Sequence, residues 1–221
     1  SIERRKIMKA LGAKVILTPA AERGTGMVKK AEDLANKYGW FLASQFQNPA
    51  NPAYHRNTTA PEILNDFAGK DLDYFVSGWG TGGTITGTGE VLKIARPNIN
   101  IIAIEPDKAS LLSGKEWQPH KIQGWTPDFI PGVLNEKIID EIITVDDDES
   151  ISTAQELAKK EGIFCGMSGG ATMNGALRVA EKAPKNSSIC AMLPDTGERY
   201  LSSPLFSAIT EESDDAWLDK Q

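Results

Sequence analysis

Cysteine and histidine are scarce in this chain, with two of each: Cys165 and Cys190, His55 and His120. Two cysteines set in apolar, strand-like runs cannot build a disulfide framework, so a reducing cytoplasm is the expected compartment. Two isolated histidines do not make a His-rich metal site, and no metal is expected. Positive charge is also short, with 24 Lys and Arg against 30 Asp and Glu and a net charge of −6. That is the wrong sign for a protein that binds nucleic acid by neutralising phosphates. No apolar run approaches the length of a membrane span, and the opening Ser1-Ile2-Glu3-Arg4-Arg5-Lys6 carries no secretory hydrophobic core. Neither nucleic acid nor membrane is an expected partner.

What is present is the composition of an ordinary globule: 221 residues, 40% hydrophobic and 24% charged, enough for one large or two small domains. Helix and strand patterns alternate. Ile2 to Leu11 is amphipathic and stops at Gly12, and Val15-Ile16-Leu17 reads as a short buried strand. Gly26 to Tyr38 carries apolar residues at helical spacing, ends at Gly39 and leads into Trp40-Phe41-Leu42. Pro61 and Gly69 bracket a helix over Ala60 to Ala68. Tyr74 to Val76, Ile99 to Ile104, Ile142 to Val145 and Ser188 to Leu193 read as strands. Helices follow most of them, at Ile85 to Ala95, Ser150 to Lys160 and Ala171 to Lys182. Repeated βα alternation with short apolar strands predicts an α/β fold, a mainly parallel twisted sheet with helices on both faces. The pattern lapses only from Leu111 to Pro131, a loop too long to be a plain connector.

The densest chemistry lies in Ser77-Gly78-Trp79-Gly80-Thr81-Gly82-Gly83-Thr84, between a strand and a helix. A glycine-rich turn there presents backbone N–H groups and the positive end of a helix dipole, which together cradle a phosphate. Gly78, Gly80 and Gly83 also satisfy G-x-G-x-x-G, and Glu105 closes the next strand where a ribose-binding acid would stand. A nicotinamide-dinucleotide dehydrogenase is therefore one reading and a purely structural tight turn another. Thr81 and Thr84 add hydroxyls that suit a compact monophosphate. A second strand-to-helix step, Cys165-Gly166-Met167-Ser168-Gly169-Gly170-Ala171, would let a flat ring approach, with Ser168 either facing a ring heteroatom or capping the helix. A third cluster, Gln45-Phe46-Gln47-Asn48-Pro49-Ala50-Asn51-Pro52 followed by His55, reads as a rigid turn. Asp195-Thr196-Gly197-Glu198-Arg199-Tyr200 reads as a strand exit.

Taken in order, these stretches resemble the cysteine synthases (O-acetylserine sulfhydrylases) among the fold type II, tryptophan synthase β-like, pyridoxal-phosphate enzymes. The likeness runs from Ser1-Ile2-Glu3-Arg4-Arg5 to Gly197-Glu198-Arg199-Tyr200-Leu201-Ser202. It is most specific at Gln45-Phe46, Asn48 to Pro52, Gly80 to Thr84 and His120-Lys121-Ile122-Gln123-Gly124. The resemblance implies that Gly80, Thr81, Gly82, Gly83 and Thr84 hold the 5′-phosphate of pyridoxal phosphate and that Ser168 meets its ring nitrogen. It places Gln45 at the substrate carboxylate and Gly124 near the substrate amine. It implies a transferase that replaces the acetate of O-acetylserine with sulfide to give cysteine. It further implies a homodimer and a cleft that can accept the C-terminal peptide of serine acetyltransferase.

Two departures qualify the resemblance. The family's Schiff-base lysine, in a segment like Ser-Gly-Ser-Val-Lys-Asp-Arg, and its Thr-Ser-Gly-Asn-Thr-Gly loop have no counterpart here. The expectation is a chain matching the C-terminal two-thirds of the family, with the N-terminal part missing, no catalytic residue of its own and no cysteine formation when alone. Its expected units are 1–45 from the mobile N-terminal domain, 46–209 as the phosphate-binding domain and 210–221 as an acidic tail. After Gly124 the family carries small residues, whereas this chain has Trp125-Thr126-Pro127-Asp128. The second substrate is thereby open between sulfide and the homocysteine used by cystathionine β-synthases.

Overall fold

A computed structural model describes residues 1–218 of the chain. Helix α1 (Ile2–Ala10) is capped by the Ser1 hydroxyl, which accepts from the Arg4 N–H. Helix α2 (Arg23–Tyr38) ends at Gly39 in the left-handed conformation, as its sequence predicts. Helices α3 (Ala50–Asn57) and α4 (Thr59–Asp66) follow. The first replaces an expected turn. Pro52 lies in its opening turn, where backbone N–H groups have no intrahelical acceptor and a proline costs little.

Then come β1 (Tyr74–Gly78), α5 (Gly83–Ala95), β2 (Asn100–Pro106) and β3 (Glu141–Val145). The chain closes with α6 (Asp147–Glu161), α7 (Met167–Lys182), β4 (Ile189–Ala191) and the short α8 (Asp215–Leu218). The last of these lies in the stretch expected to be an acidic tail, whose final three residues fall outside the described ones.

The four strands form a parallel sheet in the order β3-β2-β1-β4, with Tyr74 opposite Asn100 on one side and Ile189 on the other. Alternation along the strands builds two cores. Phe75, Ile101 and Ala103 pack with Ile85 and Leu92 of α5, while Val76, Ile102 and Ile104 pack with Ala171, Ala176 and Val179 of α7. A sheet buried on both faces needs apolar residues at consecutive positions, which is why these strands read as unbroken apolar runs. Two such runs behave otherwise. Val15–Leu17 and Trp40–Leu42 take no part in the sheet, and Ile16 and Phe41 are 55% and 88% exposed. Apolar periodicity marks a segment fit for a strand, but a strand forms only beside a neighbour that completes its ladder.

The topology positions the site. From β1 the chain moves to β2 and β3 on one side and returns to β4 on the other. The crevice beyond the carboxyl ends of β1 and β4 is therefore a switch point of the sheet, where α/β proteins bind ligands.

Candidate functional site

A cavity of about 620 Å³ opens at this switch point. Its near wall is Ser77, Gly78, Gly80 and Thr84, from the end of β1 and the turn into α5. The residue preceding α5 is Gly82 at φ +81°, a conformation that favours glycine, and no side chain caps the helix. Apart from the Gly83 N–H, which the Thr81 hydroxyl takes up, the first-turn N–H groups of α5 are left for a ligand, at the positive end of its dipole. Gly80 is required for a different reason. A β-carbon there would collide with the carbonyl oxygen of Gly124, so the long excursion between β2 and β3 lies directly on the turn.

The turn is held from behind. Asn51, in the first turn of α3, donates through Nδ2 to the Gln45 carbonyl at 2.8 Å and to Thr81 Oγ1 at 2.9 Å. The same Thr81 hydroxyl oxygen accepts from the Gly83 N–H at 3.2 Å. His55 bridges Thr59 Oγ1 (2.9 Å, through Nδ1) and Thr84 Oγ1 (3.2 Å, through Nε2). Burial pushes the His55 imidazole below its ordinary pKa. A neutral ring suits this bridge, because one nitrogen donates while the other accepts.

The opposite wall is α7. Ser168 is the second residue of that helix rather than its cap; Gly166 occupies the capping position and supplies no side chain. Freed from capping, Ser168 lines the cavity, and below it Thr172 Oγ1 bonds the Ser168 carbonyl at 3.0 Å. Gly124 and Trp125 close the mouth. The Trp125 indole packs so tightly on Gly78 that a β-carbon there would overlap its ring. Thr126 follows at φ +38°, its N–H donating to the Trp79 carbonyl at 3.0 Å.

The far end is polar. Arg4 pairs with Asp195 and donates to the Tyr200 hydroxyl at 3.1 Å, while that hydroxyl donates to Asp195 Oδ2 at 2.7 Å. Burial, with the Asp195 carboxylate beside it, raises the Tyr200 phenol above its ordinary pKa, although Arg4 opposes the shift. Asp195 Oδ1 and Arg199 Nε are buried on this wall with no protein partner.

Of the residues the sequence marks for the site, Gly80, Thr84, Gly124 and Ser168 line the cavity, and Thr81, Gly82 and Gly83 back it. Gln45 does not line it. Its side chain is exposed, and only its carbonyl reaches the turn, through Asn51. Glu105 overturns the dinucleotide reading. It is fully buried, with its oxygens accepting from the Leu112 and Ser113 N–H groups (3.1 and 3.0 Å) and the Ser113 hydroxyl (2.6 Å). A carboxylate fully buried and bonded from within the protein is out of reach of a ribose.

Sequence reasoning missed the roles of Asn51, His55, Trp125 and Asp195. The nearest signal was that Asn51 and His55 fall in one Asn/Pro-rich stretch, but their target is some thirty residues away.

An uncapped glycine turn at the switch point of a parallel sheet, facing a serine hydroxyl across a cavity, defines an α/β protein built to take a small anionic ligand. The chain belongs to a family described as "Pyridoxal-phosphate dependent enzyme", which matches residues 1–195. It is 54% identical over 218 residues to an O-ureido-L-serine synthase of Streptomyces lavendulae, covering 99% of this chain and 67% of that one. It is 48% identical over 207 residues to a cysteine synthase of Staphylococcus aureus, covering 94% and 67%. The crystal structure of an O-ureido-L-serine synthase variant with O-ureido-L-serine bound superposes with a TM-score of 0.97 at 54% identity, covering 100% of this chain and 68% of that one. The chain thus spans about two thirds of the length of these relatives. Its fold is that of the fold type II enzymes, and the family's cofactor is pyridoxal phosphate.

The cavity fits that group. The uncapped end of α5 matches a dianionic phosphate and the Ser168 hydroxyl matches a ring heteroatom, while Gly80 and Gly78 let Gly124 and Trp125 pack directly against the turn.

Proposed function

We propose that this chain supplies the phosphate and ring-nitrogen contacts of a pyridoxal-phosphate enzyme that replaces the β-substituent of an O-acylated serine. Residues 46–209 carry these contacts. The Gly80–Thr84 turn would hold the phosphate and Ser168 the pyridine nitrogen, while Gly124 would lie at the substrate's amine and Gln45 would reach its carboxylate. Residues 1–45 form the covering unit. In support, α1 has no buried residue and meets the rest through polar contacts of Ser1, Glu3 and Arg4. Bound pyridoxal phosphate supplies the electron sink that labilises bonds at the amino acid's α-carbon. A hydroxyl at the ring nitrogen, unlike a carboxylate, gives that nitrogen no opposing charge, which favours elimination of a good leaving group.

The single observation behind this reading is that the uncapped start of α5 and the Ser168 hydroxyl share one cavity. Among the described residues lining that cavity there is no lysine. The chain alone therefore holds the cofactor without a covalent bond. Titration with pyridoxal phosphate followed by borohydride reduction and mass measurement tests this: saturable binding with no pyridoxyl adduct is expected. A reduced lysine adduct in the cavity would overturn it.

With the family's lysine-bearing segment present, acetate would leave and the acceptor would be sulfide, giving cysteine. A second reading is supported by the bulk of Trp125, which lines the cavity, and by the 54% identity to an O-ureido-L-serine synthase. In that reading the acceptor is hydroxyurea, the nucleophile whose oxygen would leave an O-ureido group on serine. Assaying O-acetylserine with sulfide, homocysteine or hydroxyurea separates these acceptors by product mass.

A further inference from the structure

The excursion between β2 and β3 contains little regular structure, so side chains must set its path. Two buried carboxylates do so. Glu105 grips its start at Leu112 and Ser113. Asp147, the first residue of α6 and 2% exposed, grips it farther along. Its oxygens divide the work: Oδ1 accepts from the Lys121 backbone N–H at 2.8 Å and Oδ2 accepts from Lys108 Nζ at 2.8 Å. From Lys121 the chain runs through Ile122, 1% exposed in the core with Val76 and Ala171, to Gly124. There the carbonyl presses on Gly80, and Trp125 and Thr126 dock on Gly78 and Trp79.

We propose that Asp147 is a positioning residue for the phosphate turn: by holding the Lys121 N–H it sets how Gly124 rests on Gly80, and with that the shape of the cavity mouth. The proposal rests on the reading that this turn receives the cofactor's phosphate. Asp147 touches no ligand. It acts through the backbone of Lys121 to Gly124, a run with a buried anchor at Ile122 and a close backbone contact at its end. The Lys108 partner is 41% exposed, and an ion pair with one partner so open to water contributes little. The backbone bond is the part that positions.

That division makes the test. Asp147→Asn keeps a neutral acceptor for the Lys121 N–H and loses the ion pair. Asp147→Glu keeps the charge but carries an extra methylene into a closed site, displacing the acceptor. Both proteins, with wild type, are titrated with pyridoxal phosphate. Amide hydrogen exchange is followed without cofactor in peptides covering Ile122–Thr126 and Gly78–Gly83, with the middle of α7 as internal reference.

The expected result for Asp147→Asn is wild-type exchange and affinity within about twofold. For Asp147→Glu, exchange should rise about tenfold in both peptides but not in α7, with affinity weakened about tenfold. The opposite order, with the Asn variant losing affinity and the Glu variant keeping it, would show that charge rather than the backbone bond matters, and would overturn the proposal. So would variants that melt earlier yet leave both readouts unchanged, the signature of a merely structural role. A wild-type chain that takes up no pyridoxal phosphate overturns the site reading instead, and the exchange comparison then decides the positioning by itself.

Discussion

Gly80 and Gly124 meet backbone to backbone: the carbonyl oxygen of Gly124 occupies the space that a β-carbon on Gly80 would need. The two residues come from different parts of the chain, and their contact joins the glycine turn to the excursion between β2 and β3, both of which line the cavity. Gly80→Ala must push the two loops apart. Overpacking of this kind costs about 1–3 kcal/mol, so a lower melting temperature is expected. Pyridoxal phosphate affinity should fall by about tenfold or more, measured by equilibrium dialysis. Unchanged affinity would mean that the turn is not the phosphate site.

Gly78 and Trp125 form a hole and its filling. Gly78→Ala should destabilise the fold by about 1–3 kcal/mol, because its methyl overlaps the indole. Trp125→Leu makes room, so the double variant should recover part of the loss. Urea unfolding of the two single variants and the double gives the coupling energy, expected to exceed about 0.5 kcal/mol in the favourable sense. Additive effects would contradict the contact.

Asn51 ties the Gln45 carbonyl to Thr81 with a single amide. Asn51→Ala removes both bonds, and Asn51→Asp keeps the shape while losing the donor. Each should cost about 1–3 kcal/mol and weaken pyridoxal phosphate binding. The Asp variant should be the worse of the two, because its carboxylate faces a carbonyl oxygen. Calorimetry of each variant with and without pyridoxal phosphate checks both effects.

His55 carries a pH prediction. Burial holds its pKa below the ordinary value of about 6.5. The folded protein then binds this proton less readily than the unfolded chain. The stability it contributes is present above about pH 6.5 and is lost as pH falls through the depressed folded value. His120, also pushed down chiefly by burial, adds to the same trend. Unfolding free energies of wild type and His55→Gln, compared at pH 7.5 and pH 5, should show the smaller acid loss in the variant. An equal loss in both would exclude His55.

Tyr200 gives the mirror case at high pH. Burial is the largest cause of its raised pKa. Its contribution is therefore complete below the ordinary tyrosine value of about 10 and lost as pH rises toward the folded value. Tyr200→Phe should flatten the stability profile above that pH, followed by chemical unfolding at fixed temperature.

Much of the fold was legible from residue order alone. Apolar runs at Tyr74 to Val76 and Ile99 to Ile104 marked central strands, since only a sheet covered on both faces tolerates them. The glycine turn, Thr84 and Ser168 were likewise marked, because each sits in a local pattern whose chemistry is its own, whereas Gly124 was marked by the family resemblance alone. Val15–Leu17 and Trp40–Leu42 show the boundary. Their patterns match those of the true strands, yet a strand exists only where another lies beside it.

The carboxylates show the same boundary in the site. Glu105 at a strand end could have held a ribose or stood in water, and nothing within reach of it in sequence excluded either. Its pairing with Leu112 and Ser113 depends on where the excursion turns back. Residue order determined that this chain would present a glycine-rich turn between a buried strand and a helix, because backbone conformation and periodicity are local properties. Tertiary structure alone decided that Gly124 would lie on Gly80, that Asn51 would hold Thr81 and that Asp147 would hold Lys121. Close packing and unsatisfied hydrogen-bonding groups select partners by distance in space, and distance along the chain does not report it.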